Sequence, residues 1–255
     1  MKLLKDLIIA IISIGSLSYL LFLLYLYFNQ ERLIFLNSLA PKEIDLPKEA
    51  KRLFVEGVEV ALIDRGADTT LFYFGGNANN AFEFLKCLKE LPYNIVAMNY
   101  PGFGKSVGKP SQKAIFEAAK KVFKRFKTKK NIVVGRSLGT AVAAYISQDK
   151  DISKVILITP FYSLKELAKR FYPGVPVSLI LKHPFETYRY IEKSCADVYV
   201  ILAQNDETTP RESYEKLKKH IKNLKDEVVI EGSSHGDILS FPKTCESVKR
   251  FGRED

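Results

Sequence analysis

The apolar positions of this chain fall into two regimes. From Leu7 to Phe28 they are almost unbroken, interrupted mainly by Ser13, Gly15, Ser16 and Ser18. From Leu33 onward they come as short runs separated by polar turns and by stretches with a helical period. The first regime is long enough to cross a bilayer core of about 30 Å as a helix. Tyr19, Tyr25 and Tyr27 fall in its second half, the last two toward the expected interface. A cleaved signal peptide is the rival reading, but the apolar core is too long for one and no small-x-small cleavage site follows it. Lys2, Lys5 and the α-amino group precede the segment, while Glu31 and Arg32 cancel after it. The positive-inside rule then leaves the N-terminus in the cytoplasm and the rest of the chain on the non-cytoplasmic side.

The second regime alternates two periods. Leu33-Ile34-Phe35-Leu36 reads as a short strand, and Arg52–Val58 with Val60–Asp64 as a hairpin turning at Glu56-Gly57. Thr70–Phe74 is a buried-strand run that ends in Gly75-Gly76-Asn77-Ala78-Asn79-Asn80. Ala81–Leu91 reads as a helix, Asn94–Met98 as a strand, and Ser111 caps a helix running to about Lys127. Further strands are expected at Asn131–Val134, Lys154–Ile158, Val198–Leu202 and Glu227–Glu231, with a closing helix over Leu239–Phe251. Strands alternating with helices predict an α/β fold: a mostly parallel sheet with helices on both faces. The expected organisation is an anchor over residues 1–30 and one domain over 31–255, without internal repeats or a second domain.

Composition changes this picture in two places. A net charge of +10 suggests attraction to an anionic surface. No nucleic-acid module is recognisable, so lipid is the partner favoured over nucleic acid. Lys120–Lys130 and Lys216–Lys225 read first as the wet faces of amphipathic helices, and second as contacts for lipid headgroups. Cys87, Cys195 and Cys245 are far apart and odd in number, which predicts neither a disulfide framework nor a zinc site. His183 and His220 lie in polar or basic helical surroundings and read as surface residues.

The chemistry concentrates around Gly135-Arg136-Ser137-Leu138-Gly139. A β-branched run precedes it and the small-residue stretch Thr140–Ile146 follows, so it sits between a strand and a helix, the context of a nucleophile elbow. A turn that sharp excludes Cβ atoms beside the serine and places its hydroxyl at a helix N-terminus, where developing negative charge is favoured. The plainer reading is a glycine-flanked serine in an ordinary loop. A serine hydroxyl needs a base, the base an orienting acid, and the tetrahedral oxygen a set of donors. Asp206 follows the Val198–Leu202 strand, and His235 lies in Gly232-Ser233-Ser234-His235-Gly236-Asp237 after the last strand. The order Ser, acid, His is the one such a fold uses. Glu207 and Asp237 are the fallback acids. Thr209-Pro210-Arg211-Glu212 reads as a capping box opening a helix. The oxyanion donors expected are the backbone N–H groups of Leu138 and Asn77.

On these motifs the chain resembles the α/β-hydrolase superfamily, and within it the membrane-anchored branch of Bem46-like and ABHD-type hydrolases. Gly75-Gly76-Asn77-Ala78 stands where that family commonly has H-G-N-A. Tyr100-Pro101-Gly102-Phe103-Gly104-Lys105-Ser106 stands where it has Y-R-G-Y-G-x-S. G-R-S-L-G is matched by Gly135–Gly139, and the acid loop G-x-x-D-x-x-V-P by Ala203–Pro210. Gly75 for histidine and Pro101 for arginine are the departures. The resemblance implies an α/β-hydrolase fold with a short cap over Phe161–Tyr190. It also implies a serine hydrolase acting on carboxylic esters, lipid or acyl esters included, with no cofactor and no metal. A serine peptidase, or a catalytically inert scaffold at the membrane, are the alternatives. About half of the apolar residues in the cap segment are expected in the core, and the rest are candidates for an acyl pocket facing the membrane.

Overall fold

The computed structural model describes residues 1–253. Helix α1 spans Lys2–Ile34, continuing past the apolar run in both directions, and is long and apolar enough to cross a membrane. The strand expected at Leu33–Leu36 does not form. The helical ladder instead persists to its end, where the Phe35 N–H donates to the Glu31 carbonyl (3.0 Å), and the Phe35 ring is buried. Continuing an existing ladder fixes one residue per added bond, whereas an isolated four-residue strand has to find a pairing partner.

Eight strands follow: β1 (Lys51–Val55), β2 (Val58–Ile63), β3 (Thr69–Phe74), β4 (Asn94–Met98), β5 (Lys130–Arg136), β6 (Ile152–Ile158), β7 (Asp197–Asn205) and β8 (Leu224–Ser234). They form one sheet in the order β1-β2-β4-β3-β5-β6-β7-β8. Strands β1 and β2 form the expected hairpin, and β2 also pairs antiparallel with β4, while every pairing from β4 onward is parallel. Alternation sorts the core into two faces. Phe72, Phe74 and Val133 pack under α3 (Gln112–Phe126) and α4 (Leu138–Ile146). Leu71, Tyr73, Ile132 and Val134 pack with α2 (Leu85–Leu88) and α9 (Pro242–Arg253) on the other side. A parallel sheet covered on both faces buries nearly continuous apolar runs, as these strands do.

Between β6 and β7 lie α5 (Leu164–Phe171), α6 (Val177–Ile180) and α7 (Thr187–Ile191), and α8 (Arg211–Lys218) follows β7. The apolar residues of the cap segment divide: Phe161, Leu167, Val177 and Phe185 are buried, while Phe171, Tyr172 and Leu179 are exposed.

Three further expectations are corrected. Ala81–Leu91 is not one helix but a 3-10 turn over Ala81–Phe84 and the single turn of α2. The stretch from Lys120 is the exposed face of α3 and its end, as the first reading has it, and Lys121, Lys127 and Lys129 pair there with Glu56, Asp151 and Asp68. Cys87 and Cys245 are joined in a disulfide, with Cys195 left free and exposed. Their separation in sequence concealed this, because only the packing of α2 against α9 brings them together. His183 is buried rather than on the surface, 3.4 Å from Glu31 near the end of α1.

Candidate active site

Strand order reverses around β3 and β5, where an open α/β sheet leaves a crevice at its carboxyl ends. Every residue singled out from the sequence follows one of these strands. Asn77 lies after β3, Ser137 immediately after β5, Asp206 immediately after β7 and His235 immediately after β8. Parallel pairing in register puts those ends at one edge; Asn205 of β7, for instance, pairs with Ser234 of β8.

Ser137 has φ 50° and ψ −117°, a conformation costly for a residue with a Cβ. Its surroundings hold it there. The Ser137 N–H donates to the Ile158 carbonyl (2.9 Å), and its carbonyl accepts from Thr140 Oγ1 (2.6 Å). The two flanking glycines are required by contact. A Cβ on Gly135 would overlap the Gly139 carbonyl, and one on Gly139 would overlap the carbonyl of Phe74. The elbow therefore packs directly on the end of β3, against the loop that carries Asn77.

The structure brings the three side chains together. Ser137 Oγ lies 2.9 Å from His235 Nε2, and His235 Nδ1 lies 2.8 Å from Asp206 Oδ2. The Asp206 side chain is 6% exposed. Burial pushes its carboxyl pKa up, but the His235 contact outweighs this together with the N–H and hydroxyl of Thr209, and the net direction is below the ordinary carboxylate range. The fallback acids are elsewhere. Glu207 is exposed, and Asp237 accepts from the Ser234 N–H (2.7 Å), bracing the histidine loop instead.

Leu138 is the first residue of α4, where backbone N–H groups have no partner within the helix. Asn77 lines the same cavity as Ser137. Its side chain, however, is committed to the end of α1 and the residues just after it: Nδ2 donates to the Ile34 carbonyl (2.6 Å) and Oδ1 accepts from the Leu36 N–H (2.9 Å). The Tyr100 hydroxyl supports this loop by donating to the Gly75 carbonyl (2.7 Å), and Asn99 Oδ1 accepts from the Ala81 N–H (2.9 Å).

Two contributors went unnoticed in the sequence. Arg136, the variable residue of the elbow, is buried; it donates through Nη2 to the His235 carbonyl (2.6 Å) and through Nη1 to Asn79 Oδ1. It thereby ties the histidine loop to the loop after β3. Burial pushes its pKa down, against the pull of nearby acidic groups. The capping-box pattern makes Thr209 a helix cap, yet Pro210 occupies the cap position of α8 and the threonine turns to the acid. Its N–H donates to Asp206 Oδ1 (2.7 Å) and its hydroxyl to Oδ2 (2.9 Å). An acceptor pair that close is a stronger partner than the orphan N–H of a helix turn. The signal was present in the acid loop, where threonine stands in place of the family's valine.

Above the serine opens a cavity of about 740 Å³. The residues around Ser137 and His235 form its floor, Phe161, Leu164 and Leu167 one wall, and Phe171, Tyr172, Ile180 and Leu181 another, with Leu179 outside the lining. The end of α1 closes it through Leu26, Gln30, Leu33 and Ile34. Among the described residues no group of three or more His, Cys, Asp or Glu side chains is arranged to hold a metal ion.

Comparison with known proteins places this arrangement. The family model for the alpha/beta hydrolase fold matches residues 74–179. An uncharacterized protein of Mycobacterium tuberculosis is 25% identical over 197 residues, 73% of this chain and 70% of that one. Lysophosphatidylserine lipase ABHD12 of Gallus gallus is 28% identical over 177 residues, 58% of this chain and 46% of the lipase. Among solved structures, the Pyrococcus furiosus esterase Pf2001 superposes with a TM-score of 0.66 at 19% identity, covering 86% of this chain and 97% of that one. An esterase of M. tuberculosis superposes with a TM-score of 0.62 at 15% identity, covering 83% and 91%. Strand order, elbow and relatives agree: the chain has the α/β-hydrolase fold, and its sequence resembles the ABHD-type members of that superfamily.

Proposed function

We propose that this chain is a membrane-anchored serine hydrolase that cleaves carboxylic esters, lipid or acyl esters among them, through an acyl-enzyme on Ser137. The observation that carries the reading is the Ser137–His235–Asp206 relay, closed at 2.9 and 2.8 Å on a strained elbow. In this reading Ser137 Oγ attacks the ester carbonyl while His235 Nε2 takes its proton, and Asp206 holds the imidazole and stabilises its charged form. The Leu138 and Asn77 N–H groups receive the developing oxyanion; a donor of this kind is worth about 2.7–4 kcal/mol of barrier. His235 returns the proton to the departing alcohol. Water, activated by the same histidine, then releases the acid and restores the serine. The lipase and esterase names of the relatives support the same class of reaction.

Helix α1 supplies the anchor, by length and composition. The charge bias around it favours a cytoplasmic N-terminus and a catalytic domain on the other side. The Cys87–Cys245 disulfide supports that side, since disulfides persist mainly in oxidising compartments.

The test is labelling of the purified chain by a fluorophosphonate probe, with Ser137→Ala and His235→Ala beside wild type. Labelling of wild type alone is the expected result. Folded wild type that stays unlabelled, beside a control hydrolase that reacts, overturns the reading. Digestion of the domain by protease added outside intact cells checks the side of the membrane.

A further inference from the structure

Residues 171–181, Phe-Tyr-Pro-Gly-Val-Pro-Val-Ser-Leu-Ile-Leu, carry no charge and are bracketed by Lys169-Arg170 and Lys182-His183. Phe171, Tyr172 and Leu179 within them are 50%, 55% and 85% exposed, a large apolar surface to leave in water.

The segment does not project away from the anchor but runs back along it. The Tyr19 hydroxyl donates to the Gly174 carbonyl (2.6 Å) at the tip of the segment. At its base, Gln30 Nε2 donates to the Ile180 carbonyl (3.0 Å) and Gln30 Oε1 accepts from the Lys182 N–H (2.7 Å). Lys182 Nζ sits 4.3 Å from the centre of the Tyr27 ring and 3.6 Å from Glu31. Tyrosine beside lysine and glutamate is what the level of the headgroups selects. Tyr19 is nine residues further into the apolar run than Phe28, or about 13 Å along a helix. A segment whose tip bonds to Tyr19 lies at that depth too.

Backbone in hydrocarbon must satisfy its own polar groups. This segment largely does. The N–H groups of Tyr172, Val175, Val177, Leu179 and Leu181 donate to nearby carbonyls, and Pro173 and Pro176 have no N–H to satisfy. The carbonyls of Gly174 and Ile180 are taken by α1.

We propose that residues 171–181 seat in the same leaflet as the second half of α1, so that the cavity over Ser137 opens to lipid. Its substrates, the acyl esters of the reading above, are then drawn sideways from that leaflet, an acyl chain lying between α1 and the segment and the ester reaching Ser137. The substrate clause rests on the esterase reading above; the seating does not.

The two are tested apart. In a Cys195→Ser background, Leu179→Cys and the control Lys109→Cys are each labelled with an environment-sensitive dye and the full chain is reconstituted in phosphatidylcholine vesicles. Lipids brominated along the acyl chain are expected to quench the dye at 179 and not at 109, with aqueous iodide doing the reverse. A dye at 179 that iodide quenches as it does at 109, and that brominated lipid leaves alone, overturns the seating whether or not the protein has activity. For the substrate clause, Leu179→Glu is compared with wild type on a water-soluble short-chain ester and on a long-chain monoacyl ester held in vesicles. A charge on that exposed apolar face of the segment is expected to lower turnover of the vesicle ester about tenfold and leave the soluble ester within about twofold. Equal loss on both esters, or loss on neither, overturns entry from the leaflet. If wild type hydrolyses no ester, the substrate clause falls with the esterase reading, and the quenching result still decides the seating.

Discussion

The floor and the wall of the cavity are built by opposite means. The floor is local: each of its residues follows directly on a strand of one sheet, and neighbouring strands in register bring the loops together. The wall is remote: residues 19–34 of the first helix meet residues 171–183 of the cap across almost the whole chain. Sheet geometry fixes the floor to within hydrogen-bond distances because strands pair at a set spacing. The wall depends on a handful of polar contacts, those of Tyr19, Gln30 and Glu31, made by a helix otherwise faced with apolar side chains. Under the proposed function, a reacting centre held by the sheet beside a wall held by few contacts lets chemistry and substrate entry vary separately. The most informative substitutions are those that damage one and spare the other.

The largest effect is expected at the floor. Ser137→Ala should lower ester turnover by about 10,000-fold or more, leaving only what the oxyanion donors and binding supply. Turnover retained within about a hundredfold would move the nucleophile elsewhere, because that residue is reached only from the floor. Arg136→Gln should come next. The guanidinium holds the His235 carbonyl at 2.6 Å and reaches Asn79 on the facing loop. Losing that brace displaces the base from the serine, and a shift of about 1 Å at a reacting centre costs about a hundredfold. The loss is expected in kcat with KM little changed, measured on a soluble ester. A KM effect alone would mean that Arg136 binds substrate instead.

This contrast also explains how much the sequence could reveal. That Ser137, Asp206 and His235 meet at one edge of the sheet was legible because each stands in a short motif beside its own strand, and strand order needed no long-range knowledge. The sheet was legible for the same reason. What escaped depends on tertiary neighbours. His183 looked like a surface residue in a basic stretch, and is buried because Glu31 comes from the far end of the chain. Cys87 and Cys245 looked unrelated until α2 and α9 packed. Asn77 is expected to act through its backbone N–H, and no local pattern shows that its side chain clamps the last carbonyl of α1. Thr209 had a plausible local role as a cap and lost it to a better partner, Asp206. Local patterns predict a residue's neighbourhood well and its final hydrogen bond poorly, because every polar group takes the strongest partner the fold delivers.

Gln30→Leu breaks the wall and should leave the floor alone. Its buried amide bonds the Tyr27 and Ile180 carbonyls and the Lys182 N–H. Leucine leaves the cap's two groups unpaired, at about 1–3 kcal/mol each. The cap should then separate from α1 part of the time. Turnover of a long-chain ester in vesicles is expected to fall about tenfold, with fluorophosphonate labelling of Ser137 at the wild-type rate. Slower labelling in step with turnover would erase the distinction between floor and wall.

The smallest effect tests how finely the floor is tuned. Thr209→Val restores the residue more usual in such acid loops and removes one hydroxyl from Asp206, while the backbone N–H bond at 2.7 Å stays. Ester turnover should fall by less than about tenfold, since the hydroxyl touches the acid and not the reacting atoms, and only part of its bond energy of about 1.5 kcal/mol bears on the transition state. The more telling readout is stability against pH. Asp206 has its carboxyl pKa lowered in the folded state, so its ionised form contributes stability. That contribution is fully present above the unfolded value of about 3.9 and is lost as pH falls through the lower, folded one. The hydroxyl of Thr209 supplies part of it. Wild type should therefore be more stable than the valine variant by about 1.5 kcal/mol at pH 7, with the gap closing below about pH 4 as the carboxylate is protonated. Unfolding of both proteins in the same detergent at pH 7, 5 and 3 measures this. A gap of equal size at all three values would mean that the hydroxyl stabilises the loop through the Thr159 carbonyl, 3.3 Å away, and not through the acid.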